Sequence, residues 1–316
     1  TFIIKGDNYM KKIFILCAFM LIFIQGVKAD AANTIAIEDS KTQIKAGKSY
    51  TFKAASDTGE GISWSVSDTN KAQITKEGRF TAKRAGKVTV TASCGEISKS
   101  IKVTIKPKGI IAIDAGHQAK GDSSTEPIGP GSSVKKAKVA SGTSGVVTKV
   151  PEYKLTLAVA KKLKKELVNR GYKVVMIRKS NNVNISNKER AIKANETSDI
   201  CIRLHADGIG NSSVSGASAL YPSKSNKYVG KLSGKCKKLS EAVLSGMCGK
   251  SGAKNRGLSQ RDDLTGTNWS TIPVTLIEMG FMTNPQEDRK MQDNDYQKKL
   301  AEGMAEGVEK YFGYKN

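Results

Sequence analysis

The chain has 316 residues, 38% of them hydrophobic and 26% charged. That composition excludes an intrinsically disordered chain and leaves room for two domains at about 150 residues each. Lys and Arg number 52 against 29 Asp and Glu, and the net charge of +23 implies an anionic partner or surrounding.

The first residues read as an export signal. Met10, Lys11 and Lys12 form a basic start, residues 13–24 an apolar run, and Val27, Lys28 and Ala29 a small-x-Ala cleavage pattern. The run is shorter than the roughly 20 residues of a membrane span, and no later segment is long and apolar enough to be one. Cleavage is expected after Ala29, with Ala31 as second choice and residues 1–9 upstream of the start; a retained anchor is the alternative. Cys17 follows Leu16 and lacks the small preceding residue of a lipoprotein site. The expected mature chain carries 48 basic and 28 acidic residues, +20, outside the cytoplasm. Export removes nucleic acid as a partner and puts anionic wall polymers and lipid in its place. The competing reading is that the lysines only confer solubility.

Cys94, Cys201, Cys236 and Cys248 remain after cleavage. Leu232, Leu239, Val243, Leu244 and Met247 predict a helix over residues 228–247, which sets Cys236 and Cys248 about 18 Å apart along one axis. A disulfide needs Cα atoms within about 7 Å, so buried, reduced thiols are expected.

Residues 30–106 alternate in short runs: Ile35 with Ile37, Tyr50 with Phe52, Trp64 with Val66, Val88 with Val90, and Ile101 with Val103 and Ile105. Turn residues around Gly47, Gly59, Asp68, Gly78 and Gly86 separate them, which predicts a small all-β sandwich with Trp64 in its core. The stretches "IKAGKSYTFKA", "ISWSVSDTNKAQITKEGRFTAKRAGKVTVTAS" and "KSIKVTI" resemble a bacterial immunoglobulin-like module of the second type. The resemblance implies a spacer or adhesive role. Residues 107–109 read as a linker, leaving +15 of the charge on residues 108–316.

From residue 110 the pattern changes to an α/β domain with a mostly parallel twisted sheet and helices on both faces. Strands are predicted at 110–113, 174–177, 200–204, 217–221 and 274–277, and helices at 151–170, 186–195, 228–247 and 295–311. In such sheets ligands bind beyond the carboxyl ends of the strands. The chain's only two histidines stand there, His117 ending "IIAIDAGH" and His205 ending "ICIRLH". Glu278 ends "VTLIE", and Glu152 opens the first long helix. Two histidines and a carboxylate with an open fourth position make a catalytic zinc set, and a second carboxylate can serve as base. Structural readings compete: a hydrogen-bonded strand-end histidine, a first-turn glutamate favoured by the helix dipole, a loop-capping Glu278.

Residues 109–313 resemble a zinc-dependent N-acetylmuramoyl-L-alanine amidase, a peptidoglycan hydrolase of the amidase-3 type. The matching stretches are "IAIDAGH", "EYKLTLAVAKKLKKELVNRGYKVVMIRKS", "NKERAIKANETSDICIRLHADG", "NRGLSQRDDLTGTNWSTIPVTLIEMGFMTNPQED" and "LAEGMAEGVEKYFG". The resemblance implies that His117, Glu152 and His205 hold one Zn2+ and that Glu278 is the general base. It also implies a monomer acting on peptidoglycan; the alternatives are a zinc peptidase cutting within the stem peptide and a non-catalytic wall-binding protein. Two departures stand out: Gln118, Ala119 and Lys120 follow the first histidine where the family has glycines, and "RLHAD" replaces Ser-x-His-Ala-Asn. The 34 residues of 118–151, rich in Gly, Ser and Lys, read as a structureless loop that either rims the cleft or has no role. Arg178 and Arg190 match arginines of the family pattern and are candidates for a stem-peptide carboxylate, with structural ion pairing as the competing role. Asp262, Asp263, Asn268 and Trp269, in the loop before the Glu278 strand, are candidate cleft residues by position.

Overall fold

Val88, Val90, Ala92 and Cys94 point inward along one strand while Thr89, Thr91 and Ser93 point outward, and this period of two builds the amino-terminal module. The computed structural model describes residues 33–38 and 41–314. The expected export signal and its cleavage site lie outside the described residues. Nine strands form the module: β1 (Ile35–Ile37), β2 (Gln43–Lys45), β3 (Ser49–Thr51), β4 (Ala54–Ser56), β5 (Ser63–Val66), β6 (Ala72–Ile74), β7 (Arg79–Ala82), β8 (Gly86–Cys94) and β9 (Ile97–Lys106). They pair as a four-stranded sheet in the order β2-β9-β8-β5, a three-stranded sheet β3-β7-β6 and a β1-β4 ribbon. Phe52 and Phe80, edge to face at 5.7 Å, occupy the centre of the core. Trp64 does not: it sits on the edge strand β5, partly buried against Phe52, because a ring of its size finds room only at the rim.

The second part contains β10 (Ile110–Ala115), β11 (Asp122–Pro127), β12 (Lys135–Val139), α1 (Glu152–Asn169), β13 (Lys173–Met176), α2 (Asn187–Asn195), β14 (Ile200–Asp207), β15 (Ala217–Tyr221), α3 (Ser233–Ser251), β16 (Asn255–Gln260), α4 (Thr265–Asn268), β17 (Val274–Phe281), α5 (Pro285–Gln292) and α6 (Asn294–Tyr311). Six strands form one sheet in the order β13-β10-β14-β17-β15-β16. The first four are parallel; β15 is antiparallel to β17 and β16 is parallel to β15. Ile111, Ile113, Ile202, Leu204, Ile277 and Met279 face a large core shared with α1, α3 and α6. The alternate residues of the same strands face the side where α2 lies, and there Asp114, Arg203, His205 and Glu278 replace part of the apolar surface. The functional cleft is on this second face.

Two expectations change. Residues 118–151 are not structureless: β11 and β12 pair as a hairpin. Neither strand alternates, and tertiary contacts hold them: Glu126 Oε1 accepts from Lys188 N (2.9 Å) and the Trp269 indole donates to Pro127 O (2.9 Å). The helix expected over 228–247 begins later, at Ser233, because Asn226 Oδ1 accepts from the backbone of Tyr228 (2.9 Å) and Val229 (3.1 Å) and holds a turn there. Residues 107–109 are pinned, since Lys108 N donates to Gly171 O (2.9 Å) and its ammonium pairs with Glu309 at 2.6 Å. The four cysteines are free and buried, and burial pushes the Cys248 thiol up to about 11. Among the described residues no helix is long and apolar enough to cross a membrane.

Candidate metal centre and cleft

β10 ends at Ala115, and the chain turns through Gly116 to His117, whose φ of 59° lies in the left-handed region that non-glycine residues rarely adopt. Two buried guanidiniums hold this turn. Arg178 donates from Nε to Ala115 O (2.8 Å) and from Nη2 to Gly116 O (3.0 Å) and Tyr153 O (2.7 Å). Arg190 donates from Nη1 to Ala115 O (2.9 Å) and from Nη2 to His117 O (3.0 Å). Gly116 is required, because a Cβ there would land on the His205 ring.

Strand register supplies the next groups. Arg203 and His205 are two residues apart on β14 and share a face; Asp114 pairs with Arg203, and His205 pairs with Glu278 of β17. Glu152 is the first residue of α1, after Pro151 at the N-cap. Pro151 lacks the N–H that a helix start leaves unpaired anyway.

His117 Nε2 lies 3.1 Å from Glu152 Oε2, and His205 Nδ1 lies 3.1 Å from both Glu152 Oε1 and His117 Nε2. Thr143 N and Ala206 N donate to the two carboxylate oxygens, each at 3.1 Å. Burial opposes ionisation of Glu152, but the hydrogen bonds and charges of the two histidines outweigh it and hold the carboxyl well below its usual range. His117 Nδ1 faces Ala140 O at 2.8 Å, and a carbonyl only accepts, so Nδ1 carries a proton and Nε2 is the ring atom turned toward Glu152. These three side chains therefore fit a metal ion, with donors close enough together to share it. His205 Nε2 is buried with no hydrogen-bond partner among the described residues, so this ring is aligned by Glu152 and His117 rather than by an outer acceptor.

Glu278 is raised well above the usual carboxyl range, first by burial and then by the charges of Glu152 and Asp207, with Arg261 opposing. Its Oε2 is buried and accepts no hydrogen bond from the described residues. A carboxylate in this state is a strong proton acceptor. Glu278, His117 and His205 line a cleft of about 250 Å³ with Arg203, Arg261 and the hairpin residue Lys136.

The other predicted residues divide. Asp263 lines the cleft, where its carboxylate takes Arg261 (2.8 and 3.0 Å) and Lys136 (2.8 Å). Asp262 is instead structural, accepting from Ser223 N (2.9 Å) and Oγ (2.6 Å) and from Asn226 (3.0 Å). Asn268 is buried against Asn226 at 2.9 Å, and Trp269 is committed to Pro127. Arg178 and Arg190 are 2% and 1% exposed, spend their donors around the His117 turn, and are not among the residues that line the cleft. Sequence reasoning missed Arg203, Arg261 and Lys136. The spacing of Arg203 from His205 was the available signal, because residues two apart on a strand share a face.

An α/β sheet bearing a His–Glu–His donor set with a carboxylate on the neighbouring strand is the framework of an amide hydrolase. The chain belongs to the N-acetylmuramoyl-L-alanine amidase family, whose model matches residues 111–310, and a bacterial Ig-like domain (group 2) model matches residues 26–105. It is 27% identical over 170 residues to the "Probable cell wall amidase LytH" of Staphylococcus epidermidis, covering 54% of this chain and 53% of that protein. It is 25% identical over 162 residues to the N-acetylmuramoyl-L-alanine amidase LytC of Bacillus subtilis, covering 51% of this chain and 31% of that one. The chain thus spans about half the length, or less, of these curated relatives. Among solved structures, an N-acetylmuramyl-L-alanine amidase of Mycobacterium smegmatis is similar with a TM-score of 0.58 at 26% identity, over 65% of this chain and 97% of that one. An N-acetylmuramoyl-L-alanine amidase of Clostridium difficile gives 0.53 at 28% identity, over 66% and 98%.

Proposed function

We propose that the protein is an exported peptidoglycan hydrolase that cuts the amide between N-acetylmuramic acid and L-alanine, with one zinc ion held by His117, Glu152 and His205. The convergence of those three donors beside an unpartnered Glu278 carries the reading. Family membership supports the choice of bond, and two imidazoles with one carboxylate suit zinc. Bound there, zinc would supply a Lewis acid that polarises the lactyl carbonyl and makes water a nucleophile near neutral pH. Glu278 accepts the proton of the attacking water and returns it to the leaving nitrogen of L-alanine. Its burial keeps the carboxylate basic, and its missing hydrogen-bond partner leaves an oxygen free to face the water. Arg178 and Arg190 hold the strained His117 turn, and Ala140 O fixes the tautomer of its ring.

Digesting purified peptidoglycan with the mature protein and identifying the new amino terminus tests this. Free L-alanine amino termini are expected. New termini further along the stem peptide would make the protein a peptidase, and no new terminus would make it a wall-binding protein.

A further inference from the structure

One nitrogen of a buried guanidinium in the cleft has no partner among the described residues. Buried Asp114 takes both Arg190 Nη1 (2.8 Å) and Arg203 Nε (3.0 Å), and on the rim Asp263 takes both Arg261 and Lys136. Arg190 spends its donors on Asp114 and on the turn at His117, whereas Arg203 uses Nε on Asp114 and Nη2 on Asn187 (2.9 Å) and donates from Nη1 to no described residue. Arg203 nonetheless lines the cleft, on the same strand face as His205. Gly266 makes room for it, since a Cβ at that position would fall on the guanidinium. A planar donor held rigidly with one nitrogen uncommitted is suited to a carboxylate.

Resting on the amidase reading above, we propose that Arg203, with Arg261 on the rim, is a carboxylate subsite that selects stem peptides by the residue following L-alanine. The spacing fits that residue. Two strand residues at about 3.3 Å each set Arg203 about 7 Å from His205, and one residue of extended peptide beyond the leaving nitrogen, plus the bond to its carboxyl, spans a similar length. In stem peptides that residue is D-glutamate joined through its γ-carboxyl, and its α-carboxyl is either free or amidated. A free carboxylate gives the uncommitted Arg203 Nη1 and the Arg261 guanidinium a charged acceptor; the carboxamide can turn its carbonyl oxygen to Nη1 but brings no charge, so its hydrogen bond is the weaker one.

The test compares the zinc-loaded full chain on N-acetylmuramoyl-L-alanyl-D-glutamate and on its D-isoglutamine counterpart, which share the scissile bond. A preference for the free acid of about 10- to 100-fold in kcat/KM is expected, the factor belonging to a hydrogen bond to a charged group. Arg203→Gln and Gly266→Ala, the second displacing the guanidinium without removing it, are expected to bring the ratio close to one, and the exposed Arg261→Gln to lower it in part. Equal use of both substrates by the unaltered chain, or an undiminished ratio in Arg203→Gln and Gly266→Ala proteins that still melt cooperatively, overturns the subsite. Calorimetric binding of L-alanyl-D-glutamate and its amide to the metal-free chain separates the two readings. Binding that favours the acid, with neither muramoyl substrate cut, leaves the subsite standing and removes the amidase; cutting of both with no preference in binding does the reverse.

Discussion

His117 and His205 are the chain's only histidines, so no spare imidazole can replace either at the metal centre. His117→Ala or His205→Ala is expected to lose the zinc, and elemental analysis of the purified variants reads this directly; undiminished metal in both would sink the site as drawn. Glu278 has a different role, and its isostere separates the two. Glu278→Gln should keep zinc and lower turnover by about 10²-fold or more. The same substitution has a signed effect on stability. Burial and the charges of Glu152 and Asp207 raise the Glu278 pKa in the folded chain above the unfolded value of about 4.3. Below that value both states hold the proton and there is no penalty; as pH rises toward the folded pKa, ionisation destabilises the fold progressively, and above it the full penalty remains. Chelator-treated Glu278→Gln should therefore melt at a higher temperature than the parent at pH 7, with the gap closing at pH 4. A gap that widens toward pH 4 would mean that Glu278 stabilises the fold as a carboxylate.

At the scale of elements, glycines set how closely helices approach. α3 and α6 pack nearly backbone to backbone: a Cβ on Gly307 would lie 2.6 Å from Val243 Cα, and one on Gly303 2.8 Å from Lys250 Cβ. The two glycines are four residues apart and so lie on one face of α6. Gly307→Leu is expected to cost about 3 kcal/mol through overpacking, read as a lower urea midpoint. Gly249 of α3 meets nothing within 4 Å, so Gly249→Ala should instead stabilise by up to about 1 kcal/mol. The elements read correctly from sequence were those whose packing leaves a period: Leu155, Val159, Leu163 and Leu167 on α1, and the buried runs of β10, β14 and β17. β16 and the β11–β12 hairpin left none, because their residues are polar and distant partners such as Trp269 and Lys188 hold the hairpin. The same distinction governs the site. His117, His205 and Glu278 end apolar runs and were visible as interruptions, whereas Asp114 and Arg203 sit within runs otherwise read as core, and only the strand register shows that they neutralise each other.

At the scale of the whole molecule, positive charge is spread over both parts of the chain while the donor set is confined to one cleft. Lys108, just beyond the immunoglobulin-like module, pairs with Glu309 and lies 4.6 Å from the Tyr314 ring. α1 turns Lys154, Lys161, Lys162 and Lys165 toward one groove, far more cation than its neighbours neutralise. If the net charge of +20 expected for the mature chain serves attachment to anionic wall polymers, its binding to intact walls should weaken steeply with salt, since exposed charges are screened beyond about 8 Å at physiological ionic strength. On the proposed reading, turnover of a small soluble muramoyl peptide should change far less, because it depends on the donor set and Glu278 rather than on the scattered surface lysines. Wall pull-down and soluble-substrate turnover measured across one salt series, with walls stripped of phosphate polymers as control, isolate the electrostatic contribution. Salt-independent pull-down, or full retention on stripped walls, would move attachment from the lysines to the uncharged surface of the amino-terminal module and leave the positive charge with solubility as its role.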